Sequence, residues 1–149
     1  MFNYKKTKFT GIAITFHSQN QMLNALKSCI IKKNHCILIR YQGMLTPTSA
    51  IVGHFGKHNS PILLTDCRFS GGSHSSLLIA HLPNSYQHNS ITALIQNGDH
   101  IYIDLVKNTI NLNVSKTILF KRNKSVKKPL INISGYLKKY MNSLGDLEN

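Results

Sequence analysis

The chain has 149 residues, 42% of them hydrophobic, which fits one globular domain able to bury a core without disulfide staples. No apolar run approaches the ~20 residues of a membrane-spanning helix, and the apolar part of MFNYKKTKFTGIAITF is too short and broken for a signal peptide. Eighteen basic residues face five acidic ones, a formal net charge of +13, and fifteen of the eighteen are lysine.

Such a charge invites an acidic partner, above all nucleic acid. The lysines, however, are spread along the chain and accompany abundant Asn and Ile, the mixture that A+T-rich codons produce. No nucleic-acid-binding fingerprint goes with them, so compositional drift accounts for much of the charge. Cys29, Cys36 and Cys67 form no CxxC pair and are odd in number. That argues against a disulfide framework and for a reducing, cytoplasmic compartment.

In chain order, IAITF (12–16) reads as a short strand. Ser18 stands three residues before Gln21, the capping-box spacing. Met22, Leu26, Cys29, Ile30 and Lys33 then recur at helical spacing, predicting a helix over about 19–33. CILIRY (36–41) is a strand, and a short helix follows Pro47. PILLTD (61–66) is continuously apolar for four residues, the mark of a strand covered on both faces. SLLIAHL (76–82) and ITALI (91–95) read as further strands. Asn97-Gly98-Asp99 signals a tight turn, and HIYIDL (100–105) with INLNV (110–114) makes a hairpin about Lys107-Asn108 with one buried face. Ser115 can cap a short helix through Phe120. GYLKKYMNSL (135–144) sets Tyr136, Tyr140 and Leu144 on one side of a final helix. These elements make a strand-rich α/β domain with few helices, barrel-like or a β-β-α sandwich. It is a single domain over 1–149, with a core over about 9–120, then a solvated basic arm and helix over about 121–149.

The stretch LLTDCRFSGGS (63–73) carries the chemistry. A Gly-Gly pair after a strand lets successive backbone N–H groups converge into a concavity suited to carboxylate or phosphate, and Arg68 offers a two-pronged donor to the same anion. Ser70 stands between them, although a hydroxyl acts as a base only beside a strong cationic stabiliser. A plain glycine turn with a structural arginine is the competing reading of these residues. Asp66 is read as fixing the turn or Arg68, and the eight histidines, His17 among them, show no metal-ligand spacing.

TDCRFSGGSHSS resembles the C-terminal signature of the dihydroxy-acid dehydratase family, usually TDGRFSGGTHG. RYQG (40–43) and MLTPTSAI (44–51) resemble that family's RYEG and MLTPTSAI blocks, and QNGDHIYIDLVKNTINLNVS (96–115) its QDGDIITID…LNLEVS hairpin. The resemblance covers essentially the whole chain but only the last third or so of the family's length. It implies dehydration of 2,3-dihydroxy carboxylates to 2-keto acids in branched-chain amino acid biosynthesis. It also implies Ser70 as the base at C2, with Arg68, Gly71, Gly72 and Ser73 around the substrate, and homodimers that use an iron–sulfur cluster and magnesium. RFSGGSH favours this branch over phosphogluconate dehydratase, which usually has RMSGASG.

The departures are specific. RYQG joins directly to MLTP, without the family's PKGGPGMPE and its magnesium-ligand glutamate. The cluster ligands belong to an N-terminal domain that these residues do not include, and Cys29, Cys36 and Cys67 match none of them. Cys67 replaces a family glycine, which would strain the backbone if φ were positive there. The expectation is therefore a C-terminal dehydratase domain or fragment, inactive alone and binding no cofactor by itself, separated either by gene decay or by splitting from a complementary N-terminal chain. The alternative is a non-catalytic basic module reusing the fold to bind nucleic acid.

Overall fold

The computed structural model describes residues 7–41, 44–45, 48–56, 60–71, 77–87 and 89–127. Its centre is a curled, mixed six-stranded sheet. Four strands run parallel: β1 (Lys8–Phe16), β2 (His35–Ile39), β4 (Ile62–Thr65) and β6 (Leu78–Ile79). On the other side of β1, β7 (His100–Asp104) and β8 (Thr109–Leu112) pair antiparallel, so the order is β6-β4-β2-β1-β7-β8. A separate parallel pair joins β3 (Met44–Leu45) to β5 (Arg68–Phe69). The helices are α1 (Gln19–Lys27), α2 (Thr48–Phe55), α3 (Ile91–Leu94) and α4 (Lys116–Ser125). The strand-rich α/β reading of the sequence holds.

Side chains alternate across the pleat and divide the core in two. Ile14, Phe16, Ile37, Ile39 and Leu63 face Met22, Ala25 and Leu26 of α1 and Ile51 of α2. On the opposite face Ala13, Cys36, Leu38, Ile62 and Leu64 pack with Ile101 and Ile103 of β7, Leu77 and Ile95. Coverage on both sides is why β2 and β4 are apolar at successive positions rather than alternately. Gly11 sits where the strands crowd: a Cβ there would stand 2.5 Å from Cys36 Sγ and 3.0 Å from the Asn34 carbonyl oxygen.

Several boundaries differ from the sequence reading. ITALI is not a strand. Residues 91–94 form α3, whose C-terminal carbonyls are captured by two arginines, a long-range partnership that local β-propensity does not register. The first helix stops at Lys27, because Cys29 takes a left-handed φ of 55° and Ile30 N–H turns back to the Ala25 carbonyl. Cys29 and Ile30 are thus exposed, and Ile31 is the buried residue. β1 starts at Lys8, four residues early, because β7 pairs with Lys8–Ile12. SLLIAHL shrinks to Leu78–Ile79, after which His81 and Leu82 N–H donate to the Cys67 and Thr65 carbonyls. In the hairpin Ile101 and Ile103 are buried, whereas Ile110, on the edge strand, is 39% exposed. α4 outruns Phe120, and its Arg122 lies within the stretch read as a solvated arm yet grips Asp99 in a two-pronged ion pair at 2.6 and 2.9 Å. The Asn97-Gly98 turn holds, with Gly98 at φ 92° and its N–H on the Ala13 carbonyl. The helix expected over 135–144 lies outside the described residues.

Candidate active site at the C-terminal edge of the parallel strands

Ligands of open α/β sheets gather beyond the carboxyl ends of parallel strands, where loops diverge over a rigid support. Here β1 ends at Phe16 and passes to His17, β2 ends at Ile39 and passes to Arg40 and Tyr41, and β4 ends at Thr65 and passes to Asp66. The alternation of the strands puts His17, Arg40 and Asp66 on the same side of the sheet as Ala13, Leu38 and Leu64. Three polar residues therefore converge at one edge by register alone.

Arg40 is 7% exposed and forms no ion pair among the described residues, although the Asp66 charge is near enough to favour its protonated form. One nitrogen, Nη1, donates to the carbonyls of Thr92, Ala93 and Ile95 at 2.7, 2.9 and 3.1 Å. The negative end of α3 and its following turn thus serve as its counter-charge. Nη2 lies 3.2 Å from His17 Nε2. An arginine can only donate, so Nε2 accepts and the imidazole carries its proton on Nδ1. Burial, with the Arg40 charge adding to it, holds the His17 pKa below its ordinary value. His17 and Tyr41 meet edge to face at 5.2 Å, and Tyr41 meets Tyr86 at 4.8 Å. Burial pushes the phenols of Tyr41 and Tyr86 up, so both stay neutral donors.

Asp66 faces this corner. Its Oδ2 accepts from Ser85 N–H at 3.0 Å and from Tyr41 N–H at 3.4 Å, and its Oδ1 accepts from the Cys67 thiol at 3.0 Å. Cys67 N–H in turn donates to Thr65 Oγ1 at 3.1 Å, closing a tight turn. Asp66 fixes the turn, as the sequence suggested, but forms no ion pair with Arg68 among the described residues. Cys67 does not have positive φ, so its replacement of a glycine carries no backbone strain.

Beyond that turn the chain forms β5, so Arg68 and Phe69 are ladder residues and not part of an open loop. Arg68 is exposed, Phe69 packs against the α1–α2 core, Ser70 is half-buried just past the strand, and Gly71 is exposed. Gly72 and Ser73 lie outside the described residues. His17, Arg40, Tyr41 and Tyr86 were not singled out as site residues from the sequence. A usable signal existed, because His17, Arg40 and Asp66 each follow directly on an apolar strand.

An iron–sulfur cluster needs several thiolates in one place, and a magnesium ion a set of oxygen donors. No three His, Cys, Asp or Glu side chains come together among the described residues. Cys36 is buried with its thiol pushed up to about 12, Cys29 is exposed after α1, and Cys67 is engaged by Asp66. These described residues do not fit either group.

Known proteins share this arrangement of sequence. A dihydroxy-acid dehydratase of Francisella tularensis subsp. novicida is 38% identical over 147 residues, covering 91% of this chain and 26% of the relative. One from Thermodesulfovibrio yellowstonii is 36% identical over 154 residues, covering 97% and 28%. The chain thus spans about a quarter of the length of the relatives it matches. The family model "Dihydroxy-acid/6-phosphogluconate dehydratase C-terminal" matches residues 2–149, and the chain belongs to that family.

Proposed function

We propose that the chain is the serine-bearing part of a dehydratase acting on 2,3-dihydroxy carboxylates. The observation that carries this reading is the match of nearly the whole chain to the C-terminal dehydratase family. Arg68, an exposed cation two residues from Ser70, supports it as the partner of the substrate carboxylate. Gly71, with Gly72 and Ser73, would supply the backbone and hydroxyl donors around that anion.

In the proposed step the Ser70 oxygen, as alkoxide, takes the C2 proton and forms an O–H bond. The C2–H electron pair becomes a C2–C3 double bond as hydroxide leaves C3, and the enol then tautomerises to the 2-keto acid. A neutral serine is too weak a base for this, and hydroxide is a poor leaving group. Neither the stabiliser of the alkoxide nor the electrophile for the hydroxyl is assembled by the described residues. The chain alone is accordingly inactive and needs the N-terminal part that its relatives possess.

The test mixes the 149-residue chain with the purified N-terminal three-quarters of a relative and follows 2-keto acid from 2,3-dihydroxyisovalerate. Turnover in the mixture, absent from either component and lost in Ser70→Ala, is the expected result. Turnover that survives Ser70→Ala, or none in the mixture, overturns the proposal.

A further inference from the structure

We propose that Asp66 is a positioning residue, whose one carboxylate sets the Cys67–Ser70 segment, Tyr41 and the Ser85–Tyr86 loop relative to one another. The inference deepens the functional reading above and rests on it, because the segment placed is the one carrying Ser70.

Three segments far apart in sequence meet on this side chain. Tyr41 N–H is 25 residues away and Ser85 N–H 19 residues away, yet both donate to Oδ2, while Oδ1 holds the neighbouring thiol. Each donor comes from a different connection: the exit of β2, the exit of β4, and the loop between β6 and α3. The 3.4 Å bond to Tyr41 N–H is long, as expected where one oxygen serves two amides.

The surroundings show what this arrangement costs. Tyr41 is held at φ 65°, a left-handed conformation that a bulky residue keeps only where neighbours enforce it. Ser85 is fully buried, and among the described residues neither its Oγ nor the buried Arg40 Nε makes a hydrogen bond. The left-handed Tyr41, tied to the Asp66 carboxylate through its N–H, indicates that the geometry of this corner is enforced by its surroundings. The same carboxylate thus holds the backbones on either side of the Tyr41–Tyr86 edge contact at 4.8 Å, and its own residue precedes the turn into β5.

Asp66→Asn keeps the shape but removes the charge, so its single accepting oxygen holds the Tyr41 and Ser85 N–H groups by weaker, neutral hydrogen bonds. Amide hydrogen exchange on the 149-residue chain reads the tie directly, without any activity. Exchange at both Tyr41 and Ser85 should accelerate by at least about tenfold, with Ile14 and Ile37 unchanged. In the mixture with the N-terminal part, KM should rise at least about fivefold together with a fall in kcat. A merely structural role lowers the folded fraction, which reduces kcat and leaves KM alone. Should Asp66→Asn fail to fold, Asp66→Glu, which shifts the carboxylate by one methylene, is read in the same way. Unchanged exchange at Tyr41 and Ser85, or an unchanged KM, overturns the proposal. A wild-type mixture without turnover removes the dehydratase reading, while the exchange result still decides whether Asp66 ties the three segments.

Discussion

Arg40→Met removes a buried charge while keeping most of the side chain's length, and the energetic consequence can be worked from the geometry. Hydrogen bonds to charged donors are worth about 1.5–3 kcal/mol each. The three carbonyls of Thr92, Ala93 and Ile95 share one nitrogen, so they count as about two such bonds, roughly 3–6 kcal/mol. Against this, methionine removes the unpartnered Nε, whose burial costs about 1–3 kcal/mol. At mid-range values the net loss is roughly 2–3 kcal/mol, a large part of the ~5–15 kcal/mol typical of a domain. At about 2–4 °C per kcal/mol, Tm should fall by roughly 4–12 °C. Urea titration monitored by circular dichroism is the assay, with an unchanged slope required for the comparison. Arg40→Lys, which keeps a charge but not the fork, should fall between wild type and methionine. A loss below about 1 kcal/mol in Arg40→Met would show that water satisfies those carbonyls as well and that Arg40 does not anchor α3.

Three further outcomes are expected. Burial opposes ionisation of Asp99, but the Arg122 hydrogen bonds and the Gln96 N–H outweigh it and hold the carboxyl below its ordinary value. A depressed folded pKa contributes stability above the unfolded value of about 3.9, lost as pH falls through the folded one; acid titration of stability should therefore be flatter in Asp99→Asn, and an unaltered slope would refute it. Gly11→Ala should destabilise by roughly 1–3 kcal/mol through overpacking against Cys36 Sγ, and Cys36→Ala should relieve part of that; strictly additive losses in the double variant would exclude the clash. Iodoacetamide should modify exposed Cys29 readily and leave buried Cys36 intact until unfolding, and mass mapping that finds Cys36 labelled in the native protein would contradict the packing.

The local signals that survived are those with a local physical cause. Ser18 and Ser115 cap α1 and α4 through the bonds their spacing suggested, to Gln21 N–H and Ile118 N–H. Continuous burial of ILLT and the turn at Asn97-Gly98 were equally legible, because apolar runs and glycine φ need no distant partner. The signature TDCRFSGG was enough to name the family, which the comparison of residues 2–149 bears out. What sequence could not carry were the long-range bonds. ITALI became a helix because Arg40 and Arg122 hold its last carbonyls, and an arginine read as the end of a strand became the anchor of a helix 52 residues away. The same holds for the corner of the site. That His17, Arg40, Tyr41, Asp66 and Tyr86 meet depends on the parallel register of β1, β2 and β4. Only the folded sheet brings the ends of those strands to one edge.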